Sequence, residues 1–144
     1  MLYFHADDNN NLVIQDITLI TYDNVVMEFL KEFPEAIKKA EEEKIRCSSN
    51  GEYRGYQYVF FGYVVTWLTI NALNNNDNPK LLSRLFRFFE TMAESSEAEI
   101  IDLLKWGTLE IVGDDKKILK HARSLMGKNT LALSHDTERY WGRE

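Results

Sequence analysis

The sequence is poor in the residues that usually signal covalent or metal chemistry. It contains one cysteine and three histidines among 144 residues. The single cysteine, Cys47, excludes an internal disulfide and a four-cysteine zinc site. The first residues carry no basic segment and no small-residue cleavage site, so no secretory signal is predicted and a cytoplasmic location is expected.

Catalytic motifs are missing as well. The sequence has no Gly-rich phosphate loop, no nucleophile elbow and no HExxH pair. Ser134, His135 and Asp136 carry the letters of a hydrolase triad, but triad residues converge from separate elements. We therefore predict a protein that is not an enzyme and that uses no cofactor and no metal.

Positive charge is in deficit. The chain has 17 Lys and Arg against 23 Asp and Glu, a net charge of -6. This balance disfavours nucleic acid and anionic membranes as partners and favours basic proteins. A hydrophobic fraction of 44% with 28% charged residues fits a single domain with a substantial core.

One long stretch, residues 55–76, contains no charge at all. A membrane-spanning helix needs about 20 mostly apolar residues. Polar residues interrupt the stretch, and no basic cluster flanks it to set an orientation; the interrupting residues are Gln57, Thr66, Thr69 and Asn71. We interpret it as a buried central helix rather than a membrane span.

Start and stop signals divide the rest of the chain into short helices. Asn78 and Pro79 begin the first, and Ser96 with Glu99 forms a capping box for the second. The other predicted boundaries are Gly113 in a left-handed C′ conformation, Asp114 as the next start, Gly127 as an end, and Asn129 or Ser134 as the last start. Turns this short predict antiparallel neighbours.

The amino-terminal part follows a different pattern. Residues 7–11 form a turn cluster, and residues 12–20 predict a short strand or an extended arm. Asp23 is predicted to cap an amphipathic helix that Pro34 breaks. A second helical stretch, residues 35–44, is expected to turn Ile37 and Ala40 inward.

These patterns predict an all-α fold of short antiparallel helices around the central helix. We expect one domain over residues 1–144, with an arm or short strand at 1–20 and a helical body at 21–142. A pairwise, HEAT-like stacking is one arrangement that would satisfy the pattern.

The candidate binding residues are tyrosines and acids. The segment of residues 52–58 combines tyrosine with arginine, and both residue types are favoured at interfaces. The alternative is that the tyrosines only anchor the start of the central helix. The candidates are Glu52, Tyr53 and Tyr56, followed by Asp7, Asp8 and Glu97.

Several segments resemble a known family. They are YVFFGYVV at residues 58–65, FFETMAE at 88–94, ARSLMG at 122–127, and the ending from residue 133 to YWG at 140–142. The chain is similar over residues 20–142 to small all-helical bacterial proteins grouped as a domain of unknown function. That group resembles the immunity proteins of polymorphic toxin systems, and contact-dependent growth-inhibition immunity proteins are its closest class.

This resemblance implies a function. The chain would bind one cognate toxin domain, a basic nuclease such as an RNase, and neutralise it in a one-to-one complex. The alternative is a helical adaptor or scaffold that binds a peptide or a partner helix in an apolar groove. A third hypothesis, a metal-dependent hydrolase built on His5, Asp7 and Asp8, lacks convergent ligands.

Overall fold

A short antiparallel hairpin precedes the helices. The computed structural model describes residues 2–6, 9, 12–16, 19–47 and 56–144, with side chains at 9, 19–43 and 56–144. Strand β1 (Leu2–Ala6) pairs with strand β2 (Leu12–Asp16). Of the segment for which a short strand or an extended arm was predicted, residues 12–20, the structure shows a strand at Leu12–Asp16. Its partner strand, β1, was not predicted, because its five residues show no alternation of polar and apolar side chains.

Two helices lie on either side of Pro34. Helix α1 (Val25–Glu32) ends just before a 3-10 turn (Pro34–Ala36), from which α2 (Ile37–Cys47) continues. These bounds confirm the predicted break at Pro34. The helix breaks there because proline lacks the backbone N–H that would continue α1.

The inward residues of these helices are mostly as predicted. Val25, Phe29 and Phe33 are completely buried, and Ala40 is 5% exposed. Ile37 was expected to point inward, but it is 43% exposed, so that prediction is wrong. Ile37 is the first residue of α2 and directly follows the 3-10 turn. That turn sets how α2 is rotated about its axis, and Ile37 lies on the exposed side.

A continuous central helix crosses the molecule. It consists of α3 (Tyr56–Phe60), a π-helical turn (Phe61–Val65) and α4 (Thr66–Asn75). Its buried face confirms the predicted central helix, but burial on all sides is wrong, because Tyr63 is 54% and Trp67 42% exposed. Among the residues with a described structure, no helix is long and apolar enough to cross a bilayer.

The remaining helices complete an all-α body. They are α5 (Pro79–Ala93), α6 (Ala98–Leu104), a second π-helical turn (Lys105–Leu109), α7 (Glu110–Val112), α8 (Lys116–Leu125) and α9 (Lys128–Tyr140). With α3–α4 and α6–α7 each taken as one continuous helix, the described part of the chain holds seven helices in one compact unit. The all-α prediction is confirmed.

Aromatic rings from three helices form the centre of the core. The ring of Phe29 lies 4.4 Å from that of Phe33, 5.7 Å from that of Phe60 and 5.2 Å from that of Phe88. Helix α5 contributes the predicted stripe, which is buried throughout: Leu81, Leu82, Leu85, Phe86, Phe89 and Met92. The Phe29–Phe33 pair is stacked and the other two pairs are edge-on, and such contacts add about 0.5–1.5 kcal/mol per ring pair to the effect of burial.

The first two predicted helix starts had different outcomes. Asn78 caps α5, since its Oδ1 accepts from the Leu81 N–H at 3.1 Å, and Pro79 is the first helical residue. The Ser96 capping box is wrong. Glu97 is the N-cap residue of α6, and its backbone N–H donates to Ser95 Oγ at 3.0 Å. The box fails because α6 begins at Ala98, one residue later than a Ser96 cap requires.

The start of α1 also differs from the prediction. Thr21 and Asn24 exchange hydrogen bonds between backbone and side chain, from the Thr21 N–H to Asn24 Oδ1 (2.8 Å) and from the Asn24 N–H to Thr21 Oγ1 (3.2 Å). Asp23 is exposed and is not the N-cap residue, so the predicted Asp23 cap is wrong.

Gly113 is not left-handed, and the prediction for it is wrong. Its φ is -74°, an ordinary helical value. The following helix is capped by Asp115 rather than Asp114, with Asp115 Oδ1 accepting from the N–H of Lys117 at 2.8 Å. A Cβ at position 113 would collide with Glu138 Oε1, so a side chain here would have to displace the Glu138 carboxylate; the constraint comes from this contact and not from backbone conformation.

Helix α9 is capped by a residue from another helix. It begins at Lys128, and its N-cap residue, Gly127, has no side chain. Glu90 of α5 supplies the acceptors instead, taking the N–H of Asn129 (3.0 Å) and the N–H of Thr130 (2.7 Å). Ser134, a predicted start, lies buried inside α9, where its Oγ accepts from Arg123 Nε at 3.1 Å.

Arg143 attaches the end of the chain to the body. Its Nε and Nη2 each donate at 2.8 Å to the carboxylate of Glu138, which is 2% exposed. Its Nη1 donates to Asp114 at 2.6 Å and its Nη2 to the Glu110 carbonyl at 3.1 Å. One guanidinium therefore joins α9 to α7 and to the turn before α8.

Candidate functional site

The two π-helical turns pack against each other. Thr66 Oγ1 lies 2.7 Å from the Phe61 carbonyl oxygen, 3.1 Å from that of Gly107 and 3.2 Å from Thr108 Oγ1. The Phe61 carbonyl also accepts the backbone N–H of Thr66. The Thr66 hydroxyl has one hydrogen to donate and lies within hydrogen-bond distance of a carbonyl on each helix, so it links the two helices at their crossing.

Two glycines lie at this crossing, in different surroundings. A Cβ on Gly107 would lie 3.1 Å from the Cβ of Phe61, closer than side chains normally approach. A Cβ on Gly62 would find only the Gly107 carbonyl oxygen, at 4.0 Å. Close packing therefore requires glycine at 107 but leaves room for a methyl group at 62.

The glycines open a cleft between aromatic side chains. Its volume is about 360 Å³, near the lower end of the range for ligand pockets. The lining residues are Tyr58, Gly62, Tyr63, Trp106, Gly107 and Ile111. We call this depression the aromatic cleft.

Exposed rings extend the cleft across the surface. The Trp106 ring lies 5.0 Å from that of Tyr140, which in turn lies 5.1 Å from that of Trp141. Tyr140 is 69% and Trp141 51% exposed. The cleft together with Tyr140 and Trp141 is called the aromatic face. Monomeric proteins rarely expose contiguous apolar surface of this kind without a function for it.

Acidic side chains border the aromatic cleft. Burial raises the pKa of the Tyr58 hydroxyl, and the nearby negative charges of Asp102 and Glu99 raise it further. Burial, Glu99 and Asp23 also raise the pKa of Tyr22. We call Glu99 and Asp102, both exposed, the acidic border.

A second groove lies between α1, α2 and α3. It has a volume of about 450 Å³ and is mainly apolar. Met27 and Ile37 on its wall are 63% and 43% exposed. The groove also includes Val26, Leu30, Ala40 and Tyr56, with Asp23, Glu41 and Gln57 at its edges. We refer to it as the α1–α2 groove.

Two of the predicted site residues, Tyr56 and Glu97, lie among the residues whose side chains the structure describes. Tyr56 is half-buried in the α1–α2 groove, with its ring 6.1 Å from that of Phe60, which agrees with an anchoring role at the start of the central helix. Glu97 accepts the Tyr22 N–H at 3.2 Å, a contact that fixes the chain before α1. The other candidates lie outside the described residues: Asp7, Asp8, Glu52 and Tyr53.

The residues of the aromatic face were missed from the sequence. Tyr63 was predicted to lie in the buried central helix, and Tyr140 and Trp141 were named only as part of a segment that resembles the family. A signal was present: Tyr63 and Trp67 are four residues apart, so they share a helix face on which a fully buried helix would not need bulky amphipathic rings.

The serine, histidine and aspartate at residues 134–136, the residue types of a hydrolase triad, each pair with a different residue. Ser134 pairs with Arg123, His135 Nδ1 lies 2.5 Å from Glu144, and Asp136 pairs with Arg139. Within residues 19–43 and 56–144, no group of three or more His, Cys, Asp or Glu side chains is arranged to hold a metal.

The fold and this face define a small all-helical domain that exposes a continuous aromatic surface. The chain belongs to the family described as Domain of unknown function (DUF7674), whose model matches residues 26–142. No curated protein and no solved structure matches the chain. The predicted membership of an all-helical family of unknown function is confirmed, and the link of that family to toxin immunity belongs to the proposal that follows.

Proposed function

We propose that this protein binds one basic protein partner through its aromatic face, and that it serves as an immunity protein for a cognate toxin domain. The observation that carries the proposal is the aromatic face itself. Tyrosine and tryptophan supply most of the binding energy in protein interfaces, because each buries a large area with little loss of conformational entropy.

The location of the aromatic face on two π-helical turns adds support. Such turns often mark functional sites, since they are kept although they cost regular hydrogen bonds. Here they carry Tyr63 on one helix and Trp106 on the other, and the Thr66 hydroxyl links the two helices at their crossing. A rigid base of this kind presents aromatic anchors in fixed positions, which lowers the entropic cost of binding.

Charge indicates the kind of partner. The net charge is -6, and the acidic border adjoins the aromatic cleft at Tyr58. A negative field steers a basic protein toward the surface and raises its rate of association. Nucleases that bind phosphate have basic clefts, so a nuclease toxin, for example an RNase, fits this surface.

Toxin neutralisation fits the rest of the molecule. A toxin inhibitor needs one tight contact and no reaction of its own, and the aromatic face offers contact area without reactive groups at its centre. The resemblance of the sequence segments to immunity proteins gives the specific form of the proposal.

Co-expression tests the proposal. The chain is produced together with the toxin domain encoded immediately upstream of its gene, and cell survival and co-purification are scored. We expect rescue and a one-to-one complex. Failure of the native chain to rescue the cells or to form a complex would contradict the immunity function.

A matched pair of double variants locates the binding surface. Tyr63→Ser with Tyr140→Ser alters the aromatic face, and Met27→Ser with Ile37→Ser alters the α1–α2 groove; all four side chains are exposed. We expect the first pair to abolish rescue and the second to preserve it.

The α1–α2 groove favours a second candidate function, that of a helical adaptor. Met27, Leu30 and Ile37 line an apolar groove of about 450 Å³, and an amphipathic helix binds such a groove through its apolar face. In that case the groove variant abolishes partner binding, whereas the aromatic-face variant preserves it.

A further inference from the structure

The aromatic cleft has features that suit one particular kind of side chain. Its walls are the rings of Tyr58, Tyr63 and Trp106, and two glycines on adjacent helices contribute no side chain to its lining. With a volume of about 360 Å³, it suits a single long side chain rather than a whole helix.

Glycine at position 62 is a costly choice in a helix. Glycine within a helix is less favourable than alanine by about 1 kcal/mol, and position 62 has room for a methyl group. Because Gly62 is part of the cleft lining, a side chain at 62 would take up space in the cleft. The missing side chain therefore enlarges the cleft at the expense of helix stability.

The charge at the cleft is suited to a cation. The negative charges of Asp102 and Glu99 act on the Tyr58 hydroxyl. The chain's own Lys105 holds its Nζ 4.9 Å from the centroid of the Trp106 ring, which shows that this ring accepts a cation. Lys105 also opposes a second cation, so the acidic border has to outweigh it.

We propose that the aromatic cleft binds an arginine side chain of the basic partner, between the rings of Tyr58, Tyr63 and Trp106. Arginine is favoured over lysine because its planar guanidinium stacks on aromatic rings and is weakly hydrated. The inference rests on the proposed function, since it specifies the chemistry of the contact at the aromatic face.

Small probes test the chemistry without any toxin. N-acetyl-arginine amide is titrated against the full chain, and the amide signals of Gly62 and Gly107 and the indole signal of Trp106 are followed by NMR. N-acetyl-citrulline amide, which is neutral and nearly isosteric, and N-acetyl-leucine amide are the controls. We expect a saturable shift of these three signals with the arginine probe alone.

Variants of a cleft ring and of the charges beside it extend the test. Tyr58→Leu should weaken binding of the arginine probe about threefold or more, which corresponds to one exposed cation–π contact. Asp102→Asn should weaken binding, and Lys105→Met should strengthen it. Trp67→Leu, another exposed ring of the central helix that does not line the cleft, should leave it unchanged.

The two proposals fail in different ways. Equal responses to the arginine and citrulline probes, a preference for the leucine probe, or no shift at the cleft would overturn the arginine site. If toxin rescue still depends on Tyr63 and Tyr140 in that event, the proposed function stands and only the cleft occupant is wrong.

Discussion

At the scale of single residues, two glutamates determine how distant parts of the chain join. Glu90 accepts four hydrogen bonds from Asn129 and Thr130, two from backbone N–H groups and two from side chains. Glu138 is nearly inaccessible and is held by Arg143. The role of Glu90 cannot be inferred from local sequence, because Glu90 lies 39 residues before Asn129.

Glu90→Gln should destabilise the fold by about 1–2 kcal/mol, since it weakens the cap of α9 and removes the charge that faces the helix start. The free energy of unfolding, measured with urea at pH 7, tests this value. Glu42→Gln, on the exposed side of α2, is the matched control and should change stability by less than about 0.5 kcal/mol.

The effect of Glu90 should also depend on pH. Burial by itself would raise the pKa of Glu90, but hydrogen bonds from Thr130 and Asn129 outweigh it, and the pKa is lowered. A lowered pKa in the folded state stabilises the protein above the unfolded value of about 4.3, and this stabilisation is lost as the pH falls through the folded pKa. The stability difference between the native protein and Glu90→Gln should therefore shrink below about pH 4; a difference that is constant from pH 7 to pH 3 would contradict this role.

Arg143→Ala should cost about 3–5 kcal/mol, because it leaves the Glu138 carboxylate buried without its partner. The double variant Arg143→Ala with Glu138→Leu should recover much of that loss, since it removes the stranded charge. Thermal unfolding of the native protein and of the two variants measures this loss of stability and its recovery. A double variant no more stable than Arg143→Ala would indicate that the guanidinium acts through Asp114 and the Glu110 carbonyl instead.

At the scale of elements, local signals predicted some helices well and missed others. Helix α5 could be predicted almost completely, because Asn78 and Pro79 fix its start and its apolar stripe repeats at helical spacing. The two π-helical turns could not, since they depend on the Thr66 hydroxyl reaching across to the Gly107 carbonyl 41 residues away. The aromatic face was missed for the same reason: its rings come from separate helices that meet only in the fold.

Alanine substitution of the two glycines at the helix crossing should change the free energy of unfolding in opposite directions. Gly62→Ala should raise the free energy of unfolding by up to about 1 kcal/mol, because the added methyl group has room and alanine favours a helix. Gly107→Ala should lower it by roughly 1–2 kcal/mol, because the added methyl group would be overpacked against Phe61. This cost exceeds the gain from the higher helix propensity of alanine. Urea unfolding of both variants is the measurement; shifts in the same direction would contradict the account of this crossing.

At the scale of the whole molecule, the proposed function assigns the negative charge and the aromatic face to different stages of binding. A net charge of -6 would attract a basic partner over about one Debye length, roughly 10 Å at 0.1 M salt. The rings would make contact only after docking and would therefore govern dissociation. Separate variants of charge and of rings should thus change different rate constants.

The acidic border should control the association rate of the toxin domain. Glu99→Gln with Asp102→Asn should lower that rate about threefold or more at 50 mM salt and reduce its salt dependence. Glu41→Gln with Glu42→Gln removes the same charge from α2 and should have a smaller effect. Stopped-flow association at 50 and 300 mM salt tests the difference, and equal slopes for the two double variants would refute steering by the acidic border.

The most direct test of the central claim is the Kd of the cognate toxin domain for three proteins at one salt concentration. These are the native chain, the Tyr63→Ser/Tyr140→Ser variant and the Met27→Ser/Ile37→Ser variant. Binding through the aromatic face predicts that the first variant weakens affinity at least about tenfold, while the second stays within about twofold of the native value. The reverse order would contradict the claim and assign binding to the α1–α2 groove.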